Sequence, residues 1–178
     1  MRWWWVLVIV AVFGADVHAQ TVLDYGDTVS GSISAGDTVQ RYTFDGAGGD
    51  VVIVHMRSVD RSLQNLLDAP RILLEDEAGV VIADTFALFP LDDATLMAQL
   101  PADGRYTVIA TRDEQMTVPS IGNYTLTLLK ADVLTAQAPI INTISTEDFG
   151  QFYVVEAASA FDLRLERLSG EFGVQINI

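Results

Sequence analysis

From residue 28 onward, short runs of β-branched and aromatic residues alternate with clusters of Gly, Asp, Asn and Pro. Thr28–Ile33 is the first such run, and Ser34-Ala35-Gly36-Asp37 turns it into Thr38–Phe44. After the Gly/Asp loop 45–50 comes Val51–Arg57, an almost unbroken apolar run. Arg71–Leu74 and Val80–Ala83 flank Glu75-Asp76-Glu77-Ala78-Gly79, the pattern of a hairpin loop. Thr95–Leu100, Arg105–Thr111 and Asn123–Leu129 complete the series. Tyr106, Val108 and Ala110 share one face of their run, and Tyr124, Leu126 and Leu128 share one face of theirs. Alternation of period two places one face of a strand against a core and the other toward water. Many short strands at this spacing predict an all-β sandwich. A short helix is predicted at Arg61–Leu67, where Leu63, Leu66 and Leu67 fit helical spacing.

The N-terminus follows another pattern. Arg2 precedes an apolar run from Trp3 to Phe13, and Val17 and Ala19 occupy the −3 and −1 positions of a cleavage site. This is the pattern of a secretory signal peptide covering residues 1–19. The run is shorter than the ~20 apolar residues a membrane-spanning helix needs. Cleavage would leave no integral membrane segment and would remove His18, so that His55 is the remaining histidine.

An internal repeat organises the rest. At an offset of 111 residues, Ile33 meets Ile144, Ser34 meets Ser145, Asp37 meets Asp148 and Tyr42 meets Tyr153. The shared residues lie on a turn and the strand after it, and repeats of this kind set the domain count. The expected organisation is a sandwich at 20–131, a linker at 132–138 and an incomplete second repeat at 139–178, as in a piece of a longer tandem protein.

Composition narrows the chemistry. The chain has 178 residues, 10 Lys and Arg against 24 Asp and Glu, and a formal net charge of −14. Lys130 is its one lysine. That balance argues against nucleic acid, whose binding rests on Lys and Arg against phosphates. The absence of cysteine excludes disulfides, thiol nucleophiles and Cys-based zinc sites.

Four segments in order resemble the bacterial pre-peptidase C-terminal domain. They are G-D-T-V-S-G-S-I-S-A-G-D-T-V-Q-R-Y-T-F at 26–44, R-I-L-L-E-D-E-A-G-V-V-I-A-D at 71–84, L-P-A-D-G-R-Y-T-V-I-A at 100–110 and G-N-Y-T-L-T-L at 122–128. The resemblance covers about residues 22–130 and the opening of a second copy, and departs from the family at the Leu-rich stretch 58–70. It implies a secreted, antiparallel, jelly-roll-like β-sandwich. It also implies a non-catalytic accessory module beside a linked peptidase or another extracellular domain, with polysaccharide, matrix protein or calcium as ligands of related modules. A folding-assistance or autoinhibitory segment processed from a secreted peptidase is the alternative.

His55 alternates opposite to Val52, Val54 and Met56, which predicts a solvent-facing strand position. No G-x-S-x-G or H-E-x-x-H motif is present. A hydrolase built on a carboxylate pair remains a third reading, without a pair to name. Calcium is the better chemical candidate, because it takes several carboxylate and carbonyl oxygens. The acids offered for it are Glu75, Asp76 and Glu77 with Asp84, then Asp92 and Asp93, and more weakly Asp24 and Asp27. The simpler reading of these acids is a solvated surface that keeps an exported chain soluble. Tyr42, Phe44, Tyr106 and Tyr124 read as core, and Phe86 and Phe89 as exposed contact residues.

Overall fold

A computed structural model describes residues 20–59, 69–86, 93–112, 121–134 and 152–155. The signal segment, the helix predicted at 61–67, Phe89, Asp92 and most of the proposed second repeat lie outside these residues. The chain divides into two compact units between Lys130 and Ala131.

Among the described residues the first unit holds nine strands, β1 Thr21–Val22, β2 Thr28–Ile33, β3 Gln40–Gly46, β4 Val51–Ser58, β5 Pro70–Glu75, β6 Val81–Phe86, β7 Ala94–Gln99, β8 Gly104–Arg112 and β9 Gly122–Lys130. They form a five-stranded sheet in the order β1-β3-β8-β5-β6 and a four-stranded sheet in the order β2-β9-β4-β7. The pairs within each sheet are antiparallel except β1–β3, which runs parallel. The architecture is the expected all-β sandwich, amended by that parallel first strand.

Period-two alternation builds the core between the sheets. Tyr42, Phe44, Ile72, Leu74, Tyr106, Val108 and Ala110 come from the five-stranded sheet. Ile33, Val52, Val54, Met56, Leu96, Tyr124, Leu126 and Leu128 come from the four-stranded sheet. Register explains their meeting: Val54 lies opposite both Leu96 and Leu128, so one row of side chains crosses three strands. The four aromatics read as core are buried, and Phe44 stacks on Tyr106 with ring centroids 5.7 Å apart.

Tyr42 and Tyr124 join the two sheets through hydroxyls 2.8 Å apart. Burial is the main reason the Tyr124 phenol is pushed up, and the bond from Tyr42 adds to it. Gly31 lies opposite Tyr124, where a Cβ would overlap the Tyr124 hydroxyl and crowd that of Tyr42. The pair thus sits in space left by the missing side chain.

One end of the sandwich is tied by Lys130. Its ammonium lies 2.6 Å from Asp50, which also accepts a bond from the Tyr25 hydroxyl at 3.1 Å. Burial works to raise the Asp50 carboxyl, but the bonds from Lys130, the Ala47 amide and Tyr25 outweigh it and leave it below its ordinary value. The last strand, the β3–β4 loop and the entry segment meet at this carboxylate.

In the second unit, β10 Asp132–Leu134 pairs in parallel with β11 Tyr153–Val155. The first three residues of the linker expected at 132–138 form this strand, and the rest of it lies outside the described residues. The linker expectation rests on Ala131, Ala136, Ala138 and Pro139, while Asp132-Val133-Leu134 is itself a short β-prone run.

Candidate functional site

Each sheet of the first unit presents an outer face. On the five-stranded sheet, Arg41, Ile109, Leu73 and Asp84 form one cross-strand row. The next holds Thr43, Thr107, Glu75 and Val81. Arginines and acids pair across this lattice: Arg41 with Glu75 at 3.0 Å, Arg71 with Asp84 at 3.0 Å through Nε, and Arg105 with Asp45 at 3.0 Å. The Arg71 fork holds the Asp84 carboxyl below its ordinary value, and Arg105 does the same for Asp45. Ile109 lies within this charged face and is only 5% exposed.

The acids considered for calcium are dispersed by these partners. Glu75 and Asp84 each bond to an arginine. Asp76 holds the β5–β6 turn, its carboxylate accepting from the Ala78 and Val80 amides at 2.9 Å each. Gly79, at φ 77°, supplies the left-handed step that this turn requires. Glu77 is exposed and lines a shallow groove with Asp45, Gly46, Gly104 and Arg105. Asp93 stands beside His55, away from that loop. Asp24 and Asp27 bond to each other's backbone around Gly26. Among the described residues, no three His, Asp or Glu side chains gather into a metal-sized group.

Phe86 is 48% exposed at the end of edge strand β6, opposite Arg71.

The four-stranded sheet's outer face carries the other notable group. Thr28, Thr127, His55 and Thr95 form a row across all four strands. The Thr28 and Thr127 hydroxyls lie 2.9 Å apart, and His55 Nδ1 lies 3.1 Å from the Thr95 hydroxyl. His55 Nε2 is 3.7 Å from an Asp93 carboxylate oxygen. The expectation of a solvent-facing His55 is corrected here. It does point away from the core, yet only 6% of it is exposed, and its neighbour on that face, Ile53, is fully buried. β4 is an interior strand, so β7 and β9 wall both of its sides. Desolvation is the largest influence on the imidazole and lowers its pKa; Asp93 opposes that shift and Arg57 adds to it.

A hydroxyl, an imidazole and a carboxylate are the parts of a nucleophilic relay. Here they lie on a sheet surface, and the carboxylate is beyond hydrogen-bond distance. Sequence reasoning missed Thr95 and the burial of His55. The signal was the run Val51-Val52-Ile53-Val54, apolar on both faces, which marks a strand covered on both sides.

No protein-family model and no curated protein matches the chain. Solved structures similar to it include the pre-peptidase C-terminal domain of a collagenase from Bacillus anthracis, at 18% identity and TM-score 0.45, covering 61% of this chain and 93% of that one. A periplasmic inhibitor of g-type lysozyme from Aeromonas hydrophila matches at 13% identity and TM-score 0.45, covering 62% and 95%. Its counterpart from Salmonella Typhimurium matches at 14% identity and TM-score 0.37, covering 62% and 97%.

Proposed function

We propose that this chain is an exported, non-catalytic accessory module, a binder or spacer within a larger secreted or cell-surface protein. The observation that carries the reading is the use the sandwich makes of its ionisable groups. His55, the histidine left after export, is buried on a sheet beside Thr95 and Asp93. Arg41, Arg71, Arg105 and Lys130 are each bonded to a carboxylate within the unit. Groups used in this way hold strands together and are poorly placed to move protons on a substrate. Export rests on Arg2, the apolar run and the Val17/Ala19 cleavage pattern.

The partners belonging to this reading are a linked peptidase or other extracellular domain, a polysaccharide or a matrix protein, with Phe86 as the contact residue. The test is the purified chain assayed against peptide and glycoside panels and against immobilised polysaccharide and matrix protein. No turnover is expected, and Phe86→Ala should weaken whatever binding occurs. Turnover that disappears in His55→Ala or Asp93→Asn overturns the reading. Calcium is a separate proposal, resting on the sequence placement of Glu75, Asp76 and Glu77 in the β5–β6 loop, with Glu77 exposed. Millimolar calcium should raise Tm and EDTA lower it, and an unchanged Tm removes calcium from the account.

A further inference from the structure

We infer that the second unit repeats the opening of the first unit's fold, starting at Asp132. The 111-residue offset of the sequence repeat reappears in the hydrogen-bonded register, which sequence similarity alone does not require. In the first unit Thr21 is the partner of Tyr42 and Val22 of Thr43, in a parallel pair. In the second unit Asp132 is the partner of Tyr153 and Val133 of Val154, again in parallel. Adding 111 to each residue of the first pairing gives the second, without a shift. The ladders also agree in phase: Leu23 N–H donates to the Thr43 carbonyl at 2.8 Å, and Asp132 N–H to the Phe152 carbonyl at 2.9 Å, each reaching 20 residues along the chain.

Parallel pairs carry the weight of this argument. Among the described residues every other strand pair in the first unit is antiparallel, and a parallel pair needs a crossover connection rather than a tight hairpin. In the first unit that crossover contains β2 and the turn in which the Asp37 amide bonds to Ser34 Oγ. The sequence between β10 and β11 repeats the turn residues, with Ser145 and Asp148 at the same offset. The strand residues match as well, since Thr21-Val22-Leu23 becomes Asp132-Val133-Leu134. A chance strand pair would have to reproduce direction, register, phase and spacing together. One residue, Ala131, stands between the last strand of the first copy and the first strand of the second. This inference concerns the number of modules and does not depend on the functional reading above.

The test is solution NMR of the full chain. Cross-strand contacts of Val133 with Val154 should match those of Val22 with Thr43, and the β10 and β11 amides should be protected. Asp132→Pro removes a ladder N–H at an exposed site, and should speed amide exchange at Tyr153–Val155 about five- to tenfold, the size expected for one lost hydrogen bond. The amides of β3 should not change. Contacts in another register or direction, or exchange at 153–155 that ignores Asp132→Pro, overturn the inference.

Discussion

Gly31 is the position where a single atom matters most. The Tyr42 and Tyr124 hydroxyls occupy the space its side chain would take, and both rings are buried. Gly31→Ala is therefore expected to destabilise the sandwich by about 1–3 kcal/mol, the usual cost of overpacking. Tyr124→Phe should cost about 1 kcal/mol, because it removes the hydroxyl that Tyr42 meets in a buried setting. Denaturant unfolding of both variants checks these values. A neutral Gly31→Ala would mean that the tyrosine pair is not packed as described. Alternation identified both tyrosines as core residues. It carried no sign that their hydroxyls meet, because that contact joins strands of different sheets.

At the scale of elements, the interior strands and the charged face should respond differently. Leu126 lies on β9, is fully buried and faces Met56, so Leu126→Ala should cost about 2–5 kcal/mol. Met97, on edge strand β7, is 46% exposed, and Met97→Ala should stay within about 0.5 kcal/mol. The Arg71–Asp84 pair is about one-third exposed on each side, so a double-mutant cycle should return about 0.2–1 kcal/mol, shrinking with salt. A coupling well above that range would give the face a larger structural share than its exposure allows. The strands themselves were largely legible: β2 has the expected ends, and β4 extends one residue beyond them. β1 was not legible, because two residues define no period, and β10 was hidden beside an Ala/Pro-rich stretch. The calcium acids illustrate a further limit. Glu75 and Asp84 read as neighbours of one loop, but register brings Arg41 and Arg71 to them, and alternation says which face a residue takes rather than which strand lies next to it.

For the whole molecule, the charge imbalance and the ion pairs belong to one account. The first unit's cations among Arg41, Arg71, Arg105 and Lys130 are spent on carboxylates, while Asp24, Asp27, Asp37, Glu77 and Asp103 stay exposed. The described surface of the first unit thus presents exposed acids around a charge-paired sheet. Ionisable chemistry here serves the fold, and His55 is its clearest case. Burial lowers the imidazole pKa below the ordinary 6.5, so the unfolded chain binds this proton more readily than the folded one. Stability from His55 is present above pH ~6.5 and is lost as pH falls through the folded pKa. The lowered Asp50 and Asp84 carboxyls act the same way in a more acidic window, below pH ~4. The most direct measurement is denaturant unfolding from pH 7.5 to 5, comparing the unaltered chain with His55→Gln. The account expects stability to fall on acidification in the former and to flatten across that window in the latter. Equal slopes, or a gain of stability toward pH 5 that His55→Gln abolishes, would show an imidazole that is solvated or stabilised as a cation, and would contradict the claim.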